Sequence, residues 1–237
     1  MVDANTVAIK AGWRPLAAAC LLVFGGVGPA IAIAAPTARS EFDRALHARP
    51  DIAHGAVLFQ TCATCHGPTG NGADDGSIPR IAGQHFRVLV RQLVDYRYEM
   101  RWDIRMEHYA GRGLLEDAQS IADVAAFVAQ LARDAPRNVG DGALLKHGAQ
   151  VYRQRCTECH GPKGEGEGLS LVPRVAGQHY AYLLRQMHDG VDGRRPNFSV
   201  SHVRIFARLE RDDIVGVADF LARSDWTGPT DALALNR

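Results

Sequence analysis

One short motif occurs twice in this chain of 237 residues and limits what the chain can fold into. Each occurrence has two cysteines separated by two residues and followed directly by a histidine. The second occurrence lies 94 residues after the first, and many other residues recur at the same offset. The pattern predicts a tandem duplication, in which one small unit folds twice. The motif residues are Cys62, Cys65 and His66 in the first run, and Cys156, Cys159 and His160 in the second.

A cysteine pair followed by histidine at this spacing is the attachment signature of a c-type haem. The two thiols fix one haem covalently, and the histidine binds its iron from one face. A zinc ribbon would place its second cysteine pair about 15–20 residues on, whereas Cys156 follows Cys65 by 91 residues. No βαβ pattern favours a thioredoxin-like site, and a disulfide would leave both histidines unexplained. We therefore expect two covalently attached haems c.

The first 35 residues have the features of a secretory signal peptide. Lys10 and Arg14 precede an apolar stretch at Leu16–Val27, and small residues suited to cleavage follow at Ala30–Ala34. A retained membrane anchor and a lipoprotein cysteine at Cys20 are the alternatives; glycine and proline interrupt the apolar stretch, and the cysteine precedes most of it. We expect export to the periplasm, with the four remaining cysteines all committed to haem.

Repeated segments divide the rest of the chain into two domains. A Pro-Arg-x-Ala-Gly-Gln-His segment occurs at 79–85 and again at 173–179, and a polar stretch with proline and glycine at 136–142 separates the copies. The net charge of +1 gives no sign of a nucleic-acid partner. The expected divisions are a signal peptide at 1–35, a first domain at 36–138 (copy one) and a second at 139–237 (copy two).

Both copies are predicted to be all-α. Apolar residues recur at helical spacing in a middle helix and a last helix, where they would form the core. The first helix of each copy runs into the haem motif and carries Gly55 or Gly148; we expect Phe127 and Phe220 of the last helices to pack over these glycines. The apolar stripes lie at 86–93, 121–128 and 214–221.

With these motifs the chain resembles the dihaem, two-domain class I cytochromes c of the cytochrome c4 type. The resemblance covers roughly residues 50–225 and rests on the paired haem motifs and the Pro-Arg-x-Ala-Gly-Gln-His segments. It implies two small helical haem domains packed face to face, with electrons passing between the haems. It also implies that the carbonyls of Pro79 and Pro173 accept hydrogen bonds from the motif histidines, which orients the imidazoles.

The chain departs from this family at the second axial ligand. The family has a methionine seven residues before a leucine that starts the last helix, and the same count in this chain arrives at His108 and His202. We predict both as iron ligands opposite the motif histidines, with Met106 left open as an alternative to His108. Met187 is expected in the core and Met100 on the surface.

Other recurring polar residues have structural explanations. His85 and His179 are expected at helix starts or haem edges, and His54 and His147 at the surface. Arg91, Arg101 and their copy-two equivalents at 185 and 195 would be either a solvated helix face or partners of the haem propionates.

Two imidazoles per iron predict a low reduction potential, because methionine ligation raises it, and they leave no position for a substrate. We therefore predict a periplasmic electron carrier with no catalytic residues, exchanging electrons with redox proteins. The donor would be a dehydrogenase or a membrane complex, and the acceptor an oxidase or a reductase. The alternatives are a haem enzyme, resembling thiosulfate dehydrogenases or peroxidases, and an electron-transfer subunit of a dehydrogenase complex. Membrane association is not expected.

Overall fold

The computed structural model describes residues 36–135 and 137–224, so the signal peptide expected at 1–35 lies outside the described residues. The described residues form ten helices, and their only β-pairing is a single bridge between Glu167 and Val172, which confirms the all-α prediction. None of these ten helices is long and apolar enough to cross a membrane. Copy one contains α1 (Ala38–His47), α2 (Ile52–His66), α3 (Phe86–Arg97), α4 (Ile104–Ala110) and α5 (Ala118–Gln130). Copy two contains α6 (Leu145–Arg155), α7 (Thr157–His160), α8 (Tyr180–Val191), α9 (Val200–Phe206) and α10 (Arg211–Arg223).

The first and last long helices of each copy cross in contact at a glycine. A Cβ added to Gly55 of α2 would lie 2.1 Å from the carbonyl oxygen of Asp123 in α5. In copy two, a Cβ added to Gly148 of α6 would lie 1.9 Å from the carbonyl oxygen of Gly216 in α10. Both distances are far shorter than any real contact, so only glycine permits this approach of two helix backbones.

Aromatic rings pack beside both crossings, as the sequence predicted. Phe59 of α2 meets Phe127 of α5, and Tyr152 of α6 meets Phe220 of α10, with ring centres 5.3 Å apart in each pair. The predicted apolar stripes of α5 and α10 are buried against these first helices and form the two hydrophobic cores. The crossing therefore fixes the first helix of each copy, at whose end the haem motif begins.

Copy one has an additional helix with a buried carboxylate. Glu41 of α1 is fully buried, and Arg97 donates to its Oε1 at 2.5 Å. Its Oε2 accepts hydrogen bonds from Arg112 at 2.8 Å and from the hydroxyl of Tyr98 at 2.7 Å. These partners offset the cost of removing a charge from water, and they join α1 to α3 and to the segment before α5.

The two copies meet through the repeated Gly-Gln-His segments. The side-chain amide of Gln84 accepts from the backbone N–H of Arg174 at 2.9 Å and donates to the carbonyl of the same residue at 3.0 Å. The amide of Gln178 makes the same two bonds to Arg80, at 2.9 and 2.8 Å. Each glutamine thus pairs with the backbone of the other copy as a neighbouring strand would.

Two further pairs of bonds cross the same interface. The guanidinium of Arg80 donates to the carbonyl of Gly177, and that of Arg174 to the carbonyl of Gly83, both at 2.5 Å. Copies one and two therefore pack together, as expected. Each of these bonds from one copy has an equivalent bond from the other.

We expect Gly148→Ala to destabilise the haem-loaded protein by about 2 kcal/mol or more, because the added methyl group overlaps the α10 backbone and overpacking typically costs this much. This loss would exceed the helix-propensity gain of up to ~1 kcal/mol that alanine brings. The midpoint of guanidinium denaturation, followed by far-UV circular dichroism, measures the difference.

Gly113→Ala is the matched control, because nothing lies within 4 Å of a Cβ at that position. Its free energy of unfolding should change by less than ~0.5 kcal/mol. Equal midpoints for the two variants would contradict the crossing described here.

Candidate haem sites

The motif of copy one lies at the C-terminal end of α2, where the chain turns sharply at Gly67 with a φ of 75°. His66 is buried, and its Nδ1 lies 2.9 Å from the carbonyl oxygen of Pro79. Burial lowers the pKa of His66, while the Pro79 hydrogen bond raises it. The imidazole is therefore held neutral, with Nδ1 engaged and Nε2 left for a metal.

Copy two repeats this arrangement. The Nδ1 atom of His160 lies 3.0 Å from the carbonyl oxygen of Pro173. Burial again lowers the pKa of the imidazole, and the hydrogen bond opposes that shift. These two hydrogen bonds are the ones that the resemblance implies for Pro79 and Pro173.

None of the four motif cysteines forms a disulfide in the described part of the chain. Cys62 and Cys156 are half-buried, whereas Cys65 and Cys159 are exposed. Burial raises the pKa of both half-buried thiols to about 11, so they are protonated at neutral pH. Each copy thus offers two uncommitted thiols beside one neutral imidazole, which is the donor set that a c-type haem needs.

A cavity of about 410 Å³ lies against the motif of copy one. Cys62, Cys65 and His66 form part of its wall, and apolar side chains of α3 and α5 form another part, including Leu89 and Val128. Its position and its lining fit a large apolar ring system attached at the two thiols, with the imidazole on one face.

Met106, not His108, lines this cavity. Met106 is half-buried and lines the cavity together with its α4 neighbour Tyr109. His108 is exposed, is not among the residues that line the cavity, and makes a ring contact with Tyr109 at 5.3 Å between centres. The structure therefore does not place His108 at the cavity that His66 lines. An iron ligand at the position counted back from Leu115 would have to reach that cavity.

His202 lies opposite the motif histidine in copy two. Its ring centre is 5.8 Å from that of His160, with the rings at 72° to one another. Its Nδ1 is 3.0 Å from the hydroxyl of Ser199, and its ring stacks on Phe198 at 5.3 Å. Burial lowers the pKa of His202 to about 4, and the neighbouring His160 and Arg195 add to that shift.

The spacing of these two rings is close to what one shared metal ion requires. Metal–imidazole bonds of about 2 Å would place the two ligating nitrogens about 4 Å apart, with the ring centres roughly 2 Å further. In both rings Nδ1 has a partner elsewhere. The Nδ1 atoms are therefore engaged in both imidazoles, which leaves Nε2 of each as the nitrogen available to a metal.

Two arginines, buried Arg101 and half-buried Arg195, lie between the copies and line the copy-one cavity. Arg101 is 7% exposed, and its guanidinium donates to the hydroxyl of Tyr182 at 2.6 Å and to Oε1 of Gln186 at 2.8 Å. Arg195 donates to the same Oε1 at 2.8 Å, and burial, with Arg101 nearby, lowers its pKa to about 10. Arg101 therefore does not belong to a solvated helix face. The sequence feature that could have indicated its burial is its recurrence as Arg195 at the offset of 94 residues.

The remaining histidines have the structural roles expected of them or closely related ones. His85 and His179 are buried at the starts of α3 and α8, and the Nε2 of each lies within 2.9 Å of a backbone carbonyl in the other copy. His54 and His147 are exposed and pair with aspartates. Met187 is buried in the copy-two core, as predicted.

The comparisons with known proteins agree with this geometry. The family model for cytochrome c matches residues 52–132 and 145–224, once in each copy. Cytochrome c4 of Azotobacter vinelandii is 31% identical over 74% of this chain and 90% of its own. The thiosulfate dehydrogenase electron acceptor of Stutzerimonas stutzeri is also 31% identical, over 68% of this chain and 77% of its own.

A solved structure is similar across both copies. The crystal structure of reduced recombinant cytochrome c4 from Pseudomonas stutzeri matches with a TM-score of 0.65 and 28% identity, covering 75% of this chain and all of that one. The two motifs at Cys62 and Cys156 fit two covalently bound haems c. The chain therefore belongs to the cytochrome c family, as a cytochrome c4-like dihaem electron-transfer protein.

Proposed function

We propose that this dihaem cytochrome is a periplasmic electron carrier that passes electrons one at a time between redox proteins. One observation carries the proposal. The cavity beside the copy-one motif is lined by residues of both copies, including Tyr182, Gln186 and Arg195 of copy two. The copy-one haem site therefore extends to the domain interface, which supports electron exchange between the two sites within one molecule.

The residues of each site would hold the haem and orient the histidine that binds its iron. One-electron chemistry is what haem iron supplies when it is bound. The thiols anchor the group, and the Pro79 and Pro173 carbonyls fix the tautomer and orientation of the motif histidines. The apolar walls from α3 and α5 exclude water from the ring in copy one.

The copy-two site supports a carrier rather than an enzyme. His202 lies opposite His160, and its ring packs against Phe198 and Phe206, which also contact each other. Such a held pair of imidazoles leaves no open position for a substrate and supports a low reduction potential for this haem. No cysteine outside the two motifs lies in the described residues to serve as a further iron ligand.

The partners are proposed by class. A relative is named as the electron acceptor of a thiosulfate dehydrogenase, which favours a dehydrogenase as the donor and an oxidase or a reductase as the acceptor. The location rests on the signal peptide expected at residues 1–35, and export would deliver the chain to the compartment of haem attachment.

We expect two covalently bound haems per secreted chain, released by neither acid-acetone nor denaturation. The haem absorbance of the denatured periplasmic protein, divided by the amount of protein, gives the ratio of haem to chain. The mass of the same protein shows whether the first 32–35 residues are absent. Cys156→Ser with Cys159→Ser should halve the haem content. A ratio near one in the unmodified protein, or extractable haem, would contradict the proposal.

We expect little spectral change when the reduced protein meets carbon monoxide at neutral pH, because no iron would have an open position. His202→Ala should create a site that binds carbon monoxide at about one equivalent per chain. His147→Ala is the control, since that imidazole is exposed and pairs with Asp213. Rapid binding by the unmodified protein would favour the enzyme alternative.

We expect Arg101→Gln to lower the potential of the copy-one haem by several tens of millivolts, where 59 mV is a tenfold change for one electron. The reason is that the oxidised haem carries one more positive charge, so a buried cation beside it favours the reduced form. Arg137→Gln is the control, because that arginine is exposed. Equal potentials for the two variants in a spectroelectrochemical titration would show that Arg101 does not act on the haem.

A further inference from the structure

We propose that the two haem sites of this chain have different axial ligand pairs, His66 with Met106 in copy one and His160 with His202 in copy two. The inference rests on the proposed function and adds to it an order between the two haems. Four observations carry it: the register of two short helices, the position of their caps, the exposure of His108, and the residues that line the copy-one cavity.

The equivalent helices α4 and α9 are offset by 96 residues, not by 94. Both contain seven residues, and α4 begins at Ile104 where α9 begins at Val200. Met106 is the third residue of α4, and His202 is the third residue of α9. By helix register, therefore, the equivalent of His202 is Met106, and the equivalent of His108 is the exposed Arg204.

The helix caps confirm this register atom by atom. The carboxylate of Asp103, which precedes α4, accepts a hydrogen bond from the backbone N–H of Met106 at 3.3 Å. The hydroxyl of Ser199, which precedes α9, accepts from the backbone N–H of His202 at 3.3 Å. The two candidate ligands therefore occupy the same position relative to the capping residue.

Two compensating length differences conceal this register in the sequence. Before the helix, one residue separates Arg101 from the cap in copy one, but three separate Arg195 from the cap in copy two. After the helix, four residues precede Leu115 in copy one, but two precede Leu209 in copy two. The offset is 94 on both sides of the helix and 96 within it, so a count back from the leucine reaches the wrong turn in copy one.

The direction of the side chains agrees with the register. Residues two apart on a helix differ by about 200° around its axis, so Met106 and His108 lie on nearly opposite sides of α4. Met106 is half-buried and lines the cavity that His66 also lines. His108 is exposed on the opposite side.

Different ligands give the two haems different affinities for an electron. A methionine sulfur opposite histidine raises the reduction potential relative to two imidazoles. An electron shared between the copies would therefore reside on the copy-one haem, and transfer across the interface would run downhill from copy two to copy one. We infer that copy two accepts electrons from the donor and that copy one delivers them.

The test begins with the unmodified protein in its oxidised form. We expect the weak red absorption band of sulfur-to-iron charge transfer at the intensity of one haem per chain, and two separate one-electron waves in a redox titration. His202→Met should double the band and bring the two waves together. If the unmodified protein has two covalent haems and transfers electrons but lacks the band, the ligand inference fails while the proposed function stands.

Variants of α4 identify the sulfur. Met106→Leu, which nearly preserves side-chain volume, should abolish the band, and His108→Ala should leave the band and both waves unchanged. Met106→His should abolish the band but keep a six-coordinate, low-spin haem, with the higher wave shifted towards the lower. Loss of low-spin haem in His108→Ala together with an unchanged spectrum in Met106→Leu would overturn the proposal and restore His108 as the ligand.

Discussion

The contact of helix backbones at Gly55 and Gly148 is the constraint on which the rest of each domain depends. It brings the first helix against the carbonyls of the last helix, at 2.1 Å and 1.9 Å from an imagined Cβ. The first helix is then fixed in position, and in copy one the thiols and the imidazole at its C-terminal end line one cavity. The proline carbonyls orient the imidazoles. Residues of α4 line the copy-one cavity, and α9 brings His202 opposite His160.

The domain interface extends this order from one site to two. Gln84 and Gln178 bind the backbone of the opposite copy through both atoms of their amides, beside the Pro-Arg segments whose prolines accept the bonds of the motif histidines. A shift of one domain relative to the other would therefore displace the carbonyl of Pro79. The buried Arg101 adds a positive charge where the copy-one cavity reaches the other copy.

Much of this arrangement was predictable, because it follows from local pattern. The motif, the glycines and the apolar stripes each constrain the chain within a few residues of themselves, and they gave the all-α fold and the aromatic pairs at the crossings. The buried cluster around Glu41 was not predictable, because its partners come from segments more than 50 residues away. Its residues have no counterpart in copy two that would mark them.

The choice between His108 and Met106 as the second ligand of copy one could not be made from the sequence, for a different reason. The repeat offset measured after the helix α4 includes the length differences on both sides of that helix. Because these two differences have opposite signs, they cancel, and the offset does not reveal them. Only the start of a short helix, set by the Asp103 cap, shows which residue faces the cavity. Similarly, the burial of Arg101 depends on Tyr182 and Gln186, which belong to the other copy.

The reciprocity of the interface has a consequence for the origin of the duplicated chain. Each copy receives from the other the same bonds that it gives, as in an isologous dimer. Two separate one-domain chains could join by these bonds, so this surface is suited to an ancestor that paired with itself before the gene was duplicated.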